Sequence, residues 1–239
     1  MPSLWEFTID GAGPMDRRAL HRTLSRWLDD DHHAAHKPWS WSASVGPEPT
    51  VVRVGVLVDP LAKRLIDGVD AARRATRSSL VRPTGPARPV GAASWAELCS
   101  GAVRREWMVD FVSPVTFRRG NRFLPWPAPS AVLGSLRSAW HTFGAAEAGA
   151  LAVDLKLDPV VVAAISGAST TERVVLHERP QPDGARAEVA VTVGGFTGQV
   201  SYAVDGDIDP AAVSTLVRLA PFAGIGAYTT RGFGGVRVS

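Results

Sequence analysis

The stretch SLWEFTIDGAGPMDRRALHRTLSRWL, Ser3 to Leu28, decides the fold. Trp5, Phe7 and Ile9 alternate with Leu4, Glu6 and Thr8, which is the period of a half-buried strand. Gly11 and Gly13 read as a turn. Pro14 suits the first turn of a helix, where its missing N–H and fixed φ cost nothing. Leu20, Leu24, Trp27 and Leu28 then recur at helical spacing and form one apolar stripe.

Outward from there the alternation resumes. Trp39 to Val45 and the β-branched run Thr50 to Val58 read as a pair of strands. A second helix is expected over Pro60 to Ala75, with Leu61, Leu65, Ile66 and Val69 facing inward. A last strand within Leu80 to Ala93, a region that includes the Pro- and Gly-rich PTGPARP (Pro83 to Pro89), completes a β-α-β-β-α-β unit of the ferredoxin-like kind. Ser94 followed by Glu97 has the capping-box pattern and opens a short connecting helix.

The same order then repeats. Trp107 to Phe117 reads as a strand, and Pro129 to Phe143 as a helix with Val132, Leu133, Leu136 and Trp140 on one face. Val174 to Glu178 and Ala187 to Val204 read as strands, the second broken at Gly194 and Gly195. Asp209 caps a helix that starts with Pro210 and runs to Ala220, and Val236 to Val238 closes the chain as a short strand. The expected architecture is α+β: two tandem ferredoxin-like (RRM-like, βαββαβ) domains, residues 1–105 and 106–239, with a glycine-rich loop before the last strand.

Composition narrows the function little. The chain has 239 residues, 45% hydrophobic and 21% charged, with a net charge of +3. That charge is too small to indicate nucleic acid by itself. Lys37, Lys63 and Lys156 are the only lysines, so arginine supplies nearly all the positive charge; its planar fork matches phosphate, although a GC-rich genome produces the same bias. No apolar run reaches the roughly 20 residues of a membrane span, and MPSLWEFTID lacks the plan of a signal peptide. The single cysteine, Cys99, allows no internal disulfide, and a reducing cytoplasm is the expectation.

The densest motif is GIGAYTTRGFGGV, Gly224 to Val236. Glycine takes positive φ and lets backbone amides approach a ligand closely, and successive amides in such a turn cradle an anion. Thr229 and Thr230 add hydroxyls, Arg231 adds a fork for phosphate, and Phe233 either packs the loop down or stacks on a base. The motif follows a helix and precedes a strand, the reverse of a dinucleotide fingerprint. A tight packing connection is the plainer reading of the loop on its own.

Two further stretches change that balance. FVSPVTFRRGNRFLPWPAPSAVLGSLRSAW (Phe111 to Trp140) and FTGQVSY (Phe196 to Tyr202), together with the glycine segment, resemble the CRISPR-associated repeat-processing endoribonucleases, the Cas six family within the larger RAMP group. One departure is Tyr228, where that family often has a basic residue; Arg231 is the residue that could take over its phosphate contact. The resemblance implies cleavage of repeat RNA without metal or cofactor, through a 2′-hydroxyl attack that leaves a 2′,3′-cyclic phosphate and a 5′-hydroxyl.

Such chemistry calls for a group that exchanges protons near neutral pH, which histidine does. Family members commonly carry a His after the first helix, then a Lys-Pro-aromatic step. Here the segment is HHAAHKPW, His32 to Trp39. The resemblance implies His32 as general base or acid and Lys37 as the transition-state cation, with His33 and His36 as close substitutes. A solvated surface tract or an incidental metal tract are the other readings of three histidines, and Cys99 has no recognisable ligand spacing to them. His21, His141 and His177 read as structural.

Gly224, Gly226, Thr229, Thr230, Arg231, Gly232 and Gly234 are thus candidates for binding RNA. Arg118, Arg119 and Arg122, at the tip of the basic hairpin FRRGNRF, are candidates as well. The implied partners are CRISPR repeat RNA as precursor and product, with CRISPR effector subunits or a second copy of the chain as further candidates and no membrane. A non-catalytic RAMP subunit that only holds guide RNA is the runner-up.

Overall fold

The computed structural model describes residues 1–9, 16–29, 36–44, 49–75, 81–149, 160–180, 186–205 and 210–239. The first half contains β1 (Ser3–Ile9), α1 (Arg17–Leu28), β2 (Trp39–Ser44), β3 (Thr50–Val56), α2 (Asp59–Arg74), β4 (Arg88–Ala92) and α3 (Trp95–Ser100). Its sheet has the order β2-β3-β1-β4, with every neighbour antiparallel. The second half contains β5 (Glu106–Val115), the hairpin β6 (Phe117–Arg119) and β7 (Arg122–Leu124), α4 (Pro129–Phe143), α5 (Ala145–Ala148), β8 (Val160–Pro180), β9 (Arg186–Val204), α6 (Pro210–Ala223), a 3-10 turn at Thr229–Arg231 and β10 (Val236–Val238). Its sheet runs β10-β5-β9-β8. In both sheets the last strand lies beside the first, then the third, then the second. That permutation is the βαββαβ arrangement twice over.

Several boundaries differ from the expectation, each for a local reason. Helix α1 opens at Arg17, because the Asp16 carboxylate accepts the amides of Arg18 and Ala19 at 2.9 and 3.0 Å; Pro14, like Gly11, Gly13 and Asp209, lies outside the described residues. Strand β8 begins at Val160, well before Val174. Its residues 163–169 are exposed, so no buried face imposes an alternating pattern, and the ladder to β9 holds the ribbon instead. Strand β9 runs unbroken through Gly194 and Gly195, which pair with Thr171 and Thr170; a Cβ on Gly195 would lie 2.7 Å from Pro114 Cβ. Helix α6 continues past Ala220 with Pro221 in its final turn.

Each sheet covers its own core. In the first, Phe7, Trp39, Trp41, Val52 and Val54 pack on Leu20, Leu24, Leu61 and Leu65 of the two helices. In the second, Trp107, Val109, Phe111, Val200 and Tyr202 pack on Leu133, Leu136, Trp140, Leu216 and Leu219. Helix α3 joins this second core: the Trp95 and Trp140 rings meet edge-on at 5.2 Å, and Arg218 of α6 donates to the Leu98 carbonyl at 2.8 Å. Its capping box is formed, with Ser94 Oγ accepting the Glu97 amide at 3.1 Å and Glu97 accepting the Ser94 amide at 2.7 Å. Among the described residues no helix is long and apolar enough to cross a membrane.

The halves meet where side chains are smallest. On β2, Trp39 and Trp41 enter the first core, while Ser40 and Ser42 are buried on the opposite face. Ser40 Oγ donates to the Phe222 carbonyl at 3.0 Å. A Cβ on Gly55 would lie 2.0 Å from that same oxygen, and one on Gly235 would lie 2.2 Å from Ser42 Cβ. The end of α6 and the loop after it therefore rest almost directly on the first sheet's backbone.

Gly55→Ala is expected to lower stability by about 1–3 kcal/mol, because one methyl must push the two halves apart. Gly91→Ala, where the nearest atoms are 3.9 Å away, should leave stability unchanged. Urea unfolding midpoints of the two variants check this.

Candidate functional site

A groove between the halves gathers residues far apart in the chain. Its walls include His36 and Lys37 ahead of β2, Arg118 of the basic hairpin, Ser135 and Ser138 of α4, and the loop from Gly224 to Thr230. Ser130 and Ala131 add the amino end of α4, whose cap residue Ala128 makes no side-chain cap bond. The positive end of that helix dipole therefore contributes to the groove.

Of the candidate histidines, His36 lies in the groove, with Nε2 3.4 Å from Ser138 Oγ of the facing wall. His32 and His33 lie outside the described residues. Lys37 is anchored at the groove's edge: its Nζ is 3.5 Å from Asp29 Oδ1, and Asp29 is only 4% exposed. The same oxygen accepts the Trp39 indole N–H at 2.6 Å. Asp29 thus fixes both the cation and the strand that follows it. Sequence reasoning missed it, since nothing in the run Asp29-Asp30-Asp31 singles out its first member.

The glycine loop is held by its own amides. Gly224, Gly226, Gly232 and Gly234 have φ of +69°, +87°, +86° and +66°, and Tyr228 shares this left-handed region at 62°. The Gly226 amide donates to Ser135 Oγ and the Gly235 amide to Ser113 Oγ, both at 2.8 Å. Ala227 and Gly234 donate to the carbonyls of Thr116 and Pro114 at 2.7 and 2.8 Å. The broad amide cradle expected from the glycines therefore narrows. Thr229 and Thr230 line the groove, and among the described residues their amides and hydroxyls donate to no protein acceptor.

That turn is pinned from behind. The Thr230 carbonyl accepts the Trp41 indole N–H at 2.6 Å and lies 2.6 Å from His21 Nδ1. Because a carbonyl only accepts, His21 carries a proton on that nitrogen. Arg231 does not line this groove: its Nη1 donates to the Val175 carbonyl of β8 at 2.6 Å, and burial pushes its pKa down. Phe233 is buried and packs the loop, leaving no face for a base. Tyr228 does line the groove and stacks on Phe123 with ring centres 5.3 Å apart. Arg119 and Arg122 stand exposed on the hairpin outside the groove walls.

Residues 109–236 match the family model described as CRISPR-associated endoribonuclease Cas6. The CRISPR-associated endoribonuclease Cas6 of Mycobacterium tuberculosis (strain CDC 1551 / Oshkosh) is 27% identical over 135 residues, 56% of this chain and 39% of that protein. The chain thus spans about two-fifths of the length of the curated relatives it matches. Among solved structures, a Cas6 product complex aligns at a TM-score of 0.76 and 23% identity, over 100% of this chain and 99% of the other. Cas6 of Thermus thermophilus aligns at 0.71 and 22%, over 100% and 98%. These structural likenesses show a shared fold.

The chain's two tyrosines give a pH expectation. Burial pushes both phenols above their ordinary value; at Tyr228, Arg231 and Arg118 pull the other way less strongly. A raised phenol pKa favours the protonated folded state, so this contribution is intact below the ordinary tyrosine value of about 10 and is lost as pH rises above it. Alkaline titration should show tyrosinate absorbance delayed past that value and rising together with unfolding.

Proposed function

Since the chain belongs to the family of CRISPR-associated endoribonucleases Cas6, we propose that the groove binds the repeat of a CRISPR precursor RNA and cleaves it without a metal ion, releasing guide RNA. The observation that carries this reading is the meeting of His36, Lys37, Arg118 and the Thr229–Thr230 turn in one groove. Those groups are a proton carrier, two cations and a set of phosphate donors, contributed by separate segments of the chain.

In the reaction a base takes the proton of the ribose 2′-hydroxyl. The 2′-oxygen forms a bond to phosphorus as the bond from phosphorus to the 5′-oxygen breaks, and an acid returns a proton to that leaving oxygen. His36 is the described histidine positioned for one of these transfers; His32 and His33 are the candidates for the other. Lys37, held by Asp29, meets the extra negative charge of the phosphorane, and the amides and hydroxyls of Thr229 and Thr230 fix the phosphate that enters it. Donors already in place before charge develops lower the barrier without reorganising. Arg118 adds affinity through phosphate, which carries no sequence information.

Labelled repeat RNA incubated with the protein in EDTA should be cut, with cyclic phosphate at the new 3′ end. Ala substitutions at His32, His33 and His36 should identify the proton carriers by a loss of about 10²–10⁴-fold in single-turnover rate. Tight binding without cleavage by the wild type would make the chain a guide-holding subunit instead. Loss of cleavage in EDTA would overturn the metal-free step.

A further inference from the structure

A second groove shares a wall with the first. Thr230 lines the cleft, and the next residue, Arg231, lines a groove between the amino end of α1 and strand β8, with Arg17, Arg18, His21, Arg173 and Phe233. Its acidic members are largely engaged. Asp16 accepts two backbone amides of α1, and Glu188 of β9, beside the groove, is paired with both Arg18 and Arg173; Glu172 also lines the groove. Arg17 is different. Its guanidinium lies over the Phe233 ring, 5.8 Å from the centroid, and its Nη1 is buried and has no hydrogen-bond partner among the described residues.

A buried charged donor without an acceptor is unfavourable relative to water, so an acceptor supplied to Arg17 Nη1 would be stabilising. The ring contact sets the plane of the guanidinium, and a planar fork of donors matches a phosphate. The Thr229–Arg231 turn stands between the two grooves, with Thr230 lining the cleft and Arg231 this one. We propose that the groove is a second phosphate subsite, in which Arg17 Nη1 donates to a phosphodiester oxygen of a nucleotide flanking the one in the cleft. The proposal rests on the reading that RNA occupies the cleft.

The test uses the full chain and repeat RNA with a 2′-deoxy sugar at the cleaved nucleotide, carrying one neutral methylphosphonate at each linkage in turn. At one linkage outside the cleaved one, the wild type should lose about tenfold in Kd, the scale of one charge-assisted hydrogen bond. Arg17→Met, which keeps an apolar contact with Phe233, should lose nothing further there. Its plot of log Kd against log salt should also be shallower by about 0.7, while its melting midpoint is at or above that of the wild type. Identical interference patterns and salt slopes in both proteins would reduce Arg17 to packing and overturn the subsite. If Lys37→Ala weakens binding while Arg17→Met behaves as the wild type, the subsite alone falls; if the wild type does not bind unmodified RNA, the cleft reading falls with it.

Discussion

The near-contact of two backbones, the end of α6 against strands β2 and β3, sets the geometry of everything that follows. The Phe222 carbonyl sits where a Cβ on Gly55 would be, 2.0 Å from it, and accepts a bond from Ser40. A few residues on, Gly235 lies against Ser42 in the same way. Only glycine and serine leave room for this, and because packed interiors respond to single methylene changes, the contact admits one seating of the halves. Strand β2 then carries that seating into the cleft. Lys37 precedes the strand, Ser40 grips α6, and the Trp41 indole holds the Thr230 carbonyl. Two of these contacts lie on the strand and the third just before it, so its register fixes the distance between the Lys37 wall and the glycine loop.

The loop combines freedom of conformation with restraint of position. Its glycines take positive φ so that the chain can reverse tightly, yet the amides of Gly226, Ala227, Gly234 and Gly235 are bonded to Ser135, Thr116, Pro114 and Ser113. Such bonds contribute modestly when formed, but leaving one donor buried and unmade costs about 1–3 kcal/mol. The loop is thus a scaffold that presents the Thr229–Thr230 turn. Tyr228 accepts the backbone strain of its left-handed φ of 62° and is offset by stacking on Phe123.

The cations follow the same plan of fixed placement. Lys37 is tied to the buried carboxylate of Asp29, and Arg231 to a carbonyl of β8. The ribbon of β8 and β9 is in turn bound to α1 through Arg18 and Glu188. The two βαββαβ units are therefore stitched together on both sides of the loop, by the small-residue contact on one side and by the ribbon on the other. The grooves lie between those two seams.

The repeated order of strands and helices was legible in the sequence, because each half-buried strand and each amphipathic helix writes its period into the apolar residues. Ser3–Ile9, Leu20 to Leu28 and Val132 to Trp140 are the clearest examples, and the capping box at Ser94 and Glu97 is a local motif that needs no partner. The glycine segment was legible as a turn and, by resemblance, as a family mark. Three things were decided only by tertiary structure. The ribbon from Val160 was hidden because its exposed faces carry no burial pattern. Arg231 and Phe233 look like ligand groups in a linear reading, and their neighbours in space, Val175 and Arg17, assign them to the groove behind the loop and to packing. Asp29, Ser113 and Ser135 gained their roles from contacts to Lys37, Gly235 and Gly226, and a hydrogen bond made across the fold leaves no periodicity in the chain.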